Sequence, residues 1–393
     1  MPSLHASAIL LLASSLVAQA YESNFDALSA SSSGTLLTGQ DNYYLPAVTG
    51  SIDWNAYTYA GNTLNIPQNV LGGSQFIAGA SQGGTALARA QRNIAFDAAQ
   101  PWQFTVDVCC NFNGTPPAAD FLGSFSEQPN ATNASFILLC SWGSNTATPT
   151  IFNIATQVYD SAGTAQAIVA VPDANFQNLN VLTWYRVQAK FDFATNQVLQ
   201  LSIMDFTTFV PHIFTPTGWY LFGGAAGAPV PTDFRFFCGG GLGNVVACDN
   251  ISITAAATFD PFGTGCTGSL GVPTLAAAPA SLPIPGSLFS AVLGNLPLSA
   301  GVFAAGFSNT ATGPFTLPLN LTPFGLNGCT LYVDPAVTLL LVGASNQATW
   351  NLSVPPNPGL LAVRLYTQGF SLDPPANAAG LTVSNACRLV VGR

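Results

Sequence analysis

Residues 182–209 constrain the fold more tightly than any other stretch. Tyr185, Val187, Ala189, Phe191 and Phe193 alternate with Trp184, Arg186, Gln188, Lys190 and Asp192. Side chains two apart share one face of an extended chain, so the pattern predicts a strand with an apolar inner face and a polar outer one. Ala194-Thr195-Asn196-Gln197 reads as a turn. On the return, Val198, Gln200, Ser202 and Met204 alternate with Leu199, Leu201, Ile203 and Asp205. Together they predict a long hairpin.

The same period recurs. Phe104, Val106, Val108 and Cys110 face one way on the strand predicted over Trp102–Phe112, and Thr105, Asp107 and Cys109 face the other. Further strands are predicted over Phe136–Trp142, Ile151–Tyr159 and Phe234–Cys238. Over Ala86–Arg92 the alternation predicts a strand with Arg89 and Arg92 near solvent. Composition supports strands over helices. Charged residues make up 6% of the chain, with 37 Gly and 28 Pro, against about 25% charged residues in an average soluble domain. Helices need charged and long straight side chains on their solvent faces. The predicted class is therefore all-β.

Val245–Thr254 reads as the strand that closes a first domain, with Ser23–Leu28 as its neighbour near the start of that domain. Composition shifts at Ala255-Ala256-Ala257-Thr258. Short strands separated by Pro, Asn and Gly then run to the end, among them Leu288–Leu293, Val337–Val342 and Ala348–Val354. This predicts a domain over 21–255 and a smaller C-terminal β-sandwich over 256–393. Residues 1–20 read as a signal peptide, with an apolar run over Ala6–Val17 and the small-residue site Ala18-Gln19-Ala20. The expected location is secreted, extracellular or at the cell surface. Prolines, glycines and asparagines break every later apolar run, so no membrane span is expected. A net charge of −9 argues against nucleic acid as a partner, which needs a basic footprint.

Export makes the eight cysteines candidates for disulfides. Cys238 and Cys248 flank a glycine-rich loop that a hairpin would close, and Cys266 pairs naturally with Cys329. Cys110 joins the apolar face of its strand and Cys140 that of its own, so Cys110–Cys140 is the third expected bridge. Cys109 and Cys387 are left without an assigned partner.

Catalytic motifs are scarce. His212 is the one histidine beyond the leader, so Ser-His-Asp, Cys-His and multi-histidine zinc sites find no support. The only glutamates are Glu22 and Glu127, and the nearest approach to a carboxylate pair on one strand is Asp107 alone. Aromatic residues in polar or turn-rich contexts offer a different chemistry: Tyr43, Tyr44, Trp54, Tyr57, Tyr59, Trp219 and Tyr220 are candidates for stacking on sugar rings.

The first domain resembles the concanavalin A-like lectin/glucanase jelly roll, in its laminin-G-like secreted branch. The likeness is carried by Asn24-Phe25-Asp26, Gly39-Gln40, Thr183-Trp184-Tyr185-Arg186-Val187 with Asp192, and the closing Asp249-Asn250-Ile251-Ser252-Ile253. The last part is similar to a C-terminal β-module of secreted bacterial proteins through Phe262-Gly263-Thr264-Gly265-Cys266, Gly328-Cys329-Thr330-Leu331 and Leu372-Asp373-Pro374. The first resemblance implies a jelly-roll β-sandwich and, as in many related sandwiches, a structural calcium ion (Ca2+) at Asp26 and Asp249 with Asn24 and Asn250 nearby. Enzymes of that fold carry an E-x-D-x-x-E run, which this chain lacks. The expectation is a non-enzymatic carbohydrate-binding or adhesion protein with a glycan or extracellular matrix polymer as partner. The alternatives are a purely structural envelope or matrix protein and a divergent glycan hydrolase.

Overall fold

In a computed structural model the chain is all-β and its strands pair almost entirely antiparallel. The structure describes residues 21–83, 86–98, 100–112, 121–128, 134, 136–142, 150–166, 169–239 and 241–393. The leader expected over 1–20 lies outside them, as do Asn113, Asn130 and Asn133, each of which opens an Asn-x-Ser/Thr sequence of the kind that accepts N-linked glycans. The chain divides into two compact units that meet in sequence between Thr254 and Ala255.

The first unit is a sandwich of two nine-stranded sheets. The order in the front sheet is Pro211–Phe214, Gln197–Asp205, Tyr185–Asp192, Pro101–Phe112, Asn244–Ala255, Gln75–Ala80, Asn55–Thr58 and Thr35–Leu36, with Tyr21–Ser23 added against Asn244–Ala255. The back sheet runs Val169–Ala170, Ile151–Gln157, Phe136–Trp142, Phe121–Gln128, Asp233–Cys238, Leu87–Asn93 and Tyr43–Tyr44. The 182–209 hairpin forms, pairing from Tyr185↔Asp205 to Asp192↔Gln197, but a register shift at Lys190/Phe191 breaks the alternation of the return strand and puts Val198 in the core with Leu201 and Ile203. Tyr185, Val187, Ala189 and Phe191 enter the core with Phe104, Val106, Val108 and Cys110 of the neighbouring strand. Phe125, Phe136, Leu138, Phe152, Phe234 and Phe236 come from the back sheet. A buried side chain of this size contributes about 1.5–3 kcal/mol, so this aromatic layer is what holds the sheets together.

The N-terminal strand pairs with the closing strand through Tyr21↔Ile253, Glu22↔Ser252 and Ser23↔Ile251. It spans Tyr21–Ser23 and ends where the expected Ser23–Leu28 begins, because Phe25 has a left-handed backbone (φ 62°) and turns the chain. The closing strand carries an irregularity of its own. Val246 and Cys248 face the core, and so do Ile251 and Ile253. Strict alternation cannot put 248 and 251 on one face. Asn250, at φ 46°, inserts the extra residue as a bulge would. Asp249 and Asn250 therefore both reach polar partners on the outer side of the front sheet.

Arg89 and Arg92 are not near solvent as expected. They are 9% and 8% exposed. Arg92 lies over the Tyr21 ring, 4.0 Å from its centroid, and donates to the carbonyl of Asp41. Aromatic rings and a carbonyl replace the water that the sequence pattern implied.

The second unit pairs a five-stranded sheet (Thr258–Phe262, Leu381–Val390, Arg364–Leu372, Ala300–Gly306, Val337–Val342) with a three-stranded one (Thr274–Ala277, Leu288–Gly294, Gln347–Ser353). Phe289, Phe303, Trp350 and Leu389 are in its core, and Cys266–Cys329 is a disulfide. The other two expected bridges are not formed. Cys110, Cys140, Cys238 and Cys248 are all buried thiols. Cys238 and Cys248 do not flank a hairpin, because their strands belong to opposite sheets; the Cys238 thiol donates to the Asn244 carbonyl instead. Cys110 and Cys140 do meet across the core, in hydrogen-bonding contact but without a covalent bond. Among the described residues no helix is long and apolar enough to cross a membrane.

Candidate functional site

The outer face of the front sheet carries a dense polar arrangement. Strand pairing stacks its side chains in rows. Lys190 lies between Gln103 and Gln200, Gln188 between Thr105 and Ser202, and Arg186 between Asp107 and Met204. Gln188 donates to Thr105 Oγ1 at 3.2 Å and accepts from Ser202 Oγ at 2.9 Å. Gln103 also donates to Thr105 Oγ1, at 3.3 Å. Lys190 is the single lysine in the chain. It is half-buried, and loss of water lowers the pKa of its ammonium. Among the described residues it has no carboxylate partner within ion-pair distance.

One end of the face is closed by the segment 60–74, which joins Asn55–Thr58 to Gln75–Ala80. Leu64 and Ile66 of this segment pack on Tyr57, Tyr59, Phe76, Cys109 and Trp184. Backbone carbonyls of the segment take donors from the sheet: Trp184 Nε1 to Pro67 at 2.8 Å, Asn111 Nδ2 to Leu64 at 2.8 Å and Asn250 Nδ2 to Leu71 at 3.0 Å. Asn69 is buried and donates to both Asp107 Oδ2 (3.0 Å) and Asp249 Oδ2 (3.3 Å).

Asp107 is the hub. Its carboxylate is fully buried and accepts from Arg186 Nε at 2.7 Å, Arg186 Nη2 at 2.9 Å, Asn69, and Asn250 Nδ2 at 2.8 Å. The two parallel bonds fix the guanidinium plane. Asp249, also fully buried, accepts from Tyr59 OH at 2.7 Å and from the Asn250 backbone N–H at 2.8 Å. Burial dominates its titration and pushes its pKa from 3.8 up to about 7, against the pull of those donors.

The structure separates the residues singled out from sequence. Tyr43, Trp54, Tyr57 and Tyr59 are buried and cannot form an open stacking platform. Trp54 stacks on Phe236 with centroids 4.9 Å apart, and Tyr57 on Phe76 at 5.4 Å. Tyr44 is half-buried and donates to Asp233 Oδ1 at 2.6 Å, and Trp219 packs on Phe214 at the sheet edge. Tyr220 bridges to Tyr159 and Gln197. Asp26 and Asp249 do come close to one loop. A Cβ on Gly72 would strike Asp249 Oδ2, and one on Gly73 would strike Asp26 Oδ2. The donor set does not fit calcium, however. Asp26 accepts from Ser74 N, Ser74 Oγ, Gln75 N and Asn24 Nδ2, while Asp249 is occupied as described. Calcium needs six to eight oxygen ligands, and these carboxylates face N–H and O–H groups. His212 lies on the edge strand, opposite Ile203. Lys190 and Arg186 were missed as site residues. Their signal was present in the polar face of the strongest hairpin.

No family model matches the chain, and no curated protein matches it in sequence. Among solved structures it is similar to an endo-β-1,4-glucuronan lyase from the fungus Trichoderma reesei, at 12% identity over 57% of this chain and 94% of that one, with a TM-score of 0.34. It is similar to the alginate lyase Aly36B at 11% identity over 60% and 97%, with a TM-score of 0.36. It is similar to peanut lectin at 9% identity over 61% and 100%, with a TM-score of 0.32. The expectation that the chain is not an enzyme is withdrawn here. Polysaccharide lyases stand beside a lectin among these structures.

Proposed function

We propose that the first unit binds a polysaccharide across the outer face of its front sheet and cleaves it by β-elimination at a hexuronic acid unit, with Lys190 as the base. The observation that carries this reading is the placement of Lys190: the chain's one lysine, half-buried, lowered in pKa and, among the described residues, free of a carboxylate partner, within a face of amide and hydroxyl side chains. The half-buried amides of Gln188 and Gln200 beside Lys190 suit a hydroxyl-rich ligand, while Gln103, Thr105 and Ser202 are buried and hold those rows in place. Hydrolysis is less well served. It needs two accessible carboxyl groups, and Asp107 and Asp249 are fully buried.

In the proposed step the neutral Lys190 amine takes the proton α to the sugar carboxylate. The electron pair forms a carbon–carbon double bond and expels the glycosidic oxygen at the β carbon. The lysine ammonium then returns the proton to that oxygen. Gln200 offers its amide N–H groups to the carboxylate of the reacting unit, and the oriented Arg186 guanidinium meets a second carboxylate further along the polymer.

The test incubates the full chain with homopolymers of hexuronic acids and with neutral β-glucans. Wild type is expected to release products whose unsaturated ends absorb in the ultraviolet. Lys190→Ala is expected to lower kcat by at least about 100-fold, the usual scale for a lost general base. Cleavage that yields reducing ends without unsaturation, or full activity in Lys190→Ala, would refute the assignment.

A further inference from the structure

We propose that Phe209 is a sugar-stacking subsite at the rim of this face, beyond Arg186, and that it sets the length of polymer the site prefers. The inference rests on the reading of the face given above. Phe209 is 50% exposed. Of the aromatic rings described in the first unit it alone is exposed; the others are buried or half-buried. It follows the Gln197–Asp205 strand, in the turn leading to the edge strand Pro211–Phe214.

Three features make it a built platform. Its ring lies parallel to that of Phe206, at an interplanar angle of 8° and a centroid distance of 5.7 Å. Phe206 is itself held beneath the Arg186 guanidinium, 5.5 Å from its ring centroid, while Asp107 fixes that guanidinium. The platform is thus continuous with the polar rows. The turn is also rigid. Phe209 N–H donates to the Asp205 carbonyl at 2.8 Å, Thr208 N–H to the same carbonyl at 3.2 Å, and Thr207 N–H to Asp205 Oδ1 at 2.7 Å. Finally, Phe209 takes a left-handed backbone at φ 57°. Glycine or asparagine reaches that region readily, whereas a bulky side chain there is an outlier. The sequence places a phenylalanine in a strained position and leaves half of it in water, against both local propensity and burial.

Lys190 and Arg186 are four residues apart, about 13 Å along the strand. Phe209 lies beyond Arg186, so only an oligomer of several units could touch both Lys190 and the ring. A short oligomer would reach the base alone. The flat apolar face of a pyranose would lie on the ring, gaining an interaction of the size measured for aromatic contacts, about threefold to tenfold in affinity.

The experiment measures kcat and KM of the full chain on hexuronate oligomers of increasing length. The variants are Phe209→Ala, Phe209→Asn and Phe209→Trp. Alanine and asparagine are expected to raise KM about threefold to tenfold on long oligomers, to leave short ones unchanged, and to leave kcat unchanged throughout. Tryptophan is expected to keep the long-oligomer KM. Asparagine relieves the left-handed backbone, so a KM rise in that variant with an undiminished melting temperature separates loss of the ring from damage to the turn. If wild type is active and both ring-deleting variants keep its KM at every length, the subsite is overturned and the role of Lys190 stands. If wild type neither cleaves these polymers nor is retarded by them in a gel, both are overturned.

Discussion

Replacing Asp249 with asparagine should change how stability depends on pH. Asp249 is fully buried, and its pKa moves from 3.8 to about 7 in the folded chain. An acid whose folded pKa lies above its unfolded value binds its proton more tightly when folded. Its contribution is therefore complete below pH 4, falls as pH rises from about 4 to about 7, and is lost above that range. Each pH unit is worth about 1.4 kcal/mol, so the full swing is on the order of 4 kcal/mol. Asparagine cannot ionise and has no such slope. Its amide must still fit donors from Tyr59, Asn69 and the Asn250 backbone, which gives the variant a constant, pH-independent penalty. The assay is urea unfolding of wild type and Asp249→Asn from pH 4 to pH 8. Subtracting one from the other cancels the remaining titratable groups. Wild type should be the more stable at pH 4 and lose ground steadily toward pH 7. A difference that stays flat would refute the reasoning. A difference of opposite slope would mean that the donors, and not desolvation, control this carboxyl.

Three further outcomes follow from particular contacts. Because the chain carries a net charge of −9, added salt should speed capture of an anionic polymer by screening repulsion; kcat/KM that falls with ionic strength would contradict this. Trp54→Ala should cost about 3–5 kcal/mol, since Trp54 is fully buried against Phe236; loss of glycan affinity at unchanged melting temperature would restore it as a ligand contact. Cys266→Ser with Cys329→Ser opens a loop spanning 63 residues and should destabilise the second unit by about 4 kcal/mol, read as a lower melting temperature for that unit.

The parts of the fold visible in the sequence were those fixed by neighbours two residues apart. The alternation from Tyr185 to Asp192 placed four residues in the core and the others outside, and the same rule split Cys109 from Cys110: Cys110 lies in the inner core and Cys109 in the outer cluster. Features set by distant partners were not visible. Tyr57 and Tyr59 sit among asparagines and a glycine, a context that suggested exposure. The asparagines serve the loop itself. Asn62 donates to the carbonyls of Tyr59 and Ile66 and accepts from Ile66 N–H. With the backbone satisfied in this way, the loop can lie on the sheet and bury the tyrosines. The polarity of the stretch reported how the loop bonds to itself and not where its rings point. Arg92 misled for a similar reason, because its partners Tyr21 and Asp41 lie more than fifty residues away.

The bulge at Asn250 connects these failures to the site. By advancing the closing strand one residue it lets Asn250 reach Asp107 and the Leu71 carbonyl with a single amide, and it lets Asp249 meet Asn69 and Tyr59. The loop, the closing strand and Arg186 thereby share the carboxylates of two aspartates. A buried carboxylate left without its donors costs several kcal/mol, so neither Asp107 nor Asp249 tolerates loss of the loop. Conversely, the loop cannot lift while Asn69 bridges them. Arg186 is held at the end of the polar rows because Asp107 is held, and Asp107 is held from three directions. That rigidity is what positions Arg186 and Phe206, and through Phe206 the Phe209 ring, at a fixed distance from Lys190. A face that measures polymer length needs such a fixed distance, and the sequence provides it with a bulge and a buried asparagine.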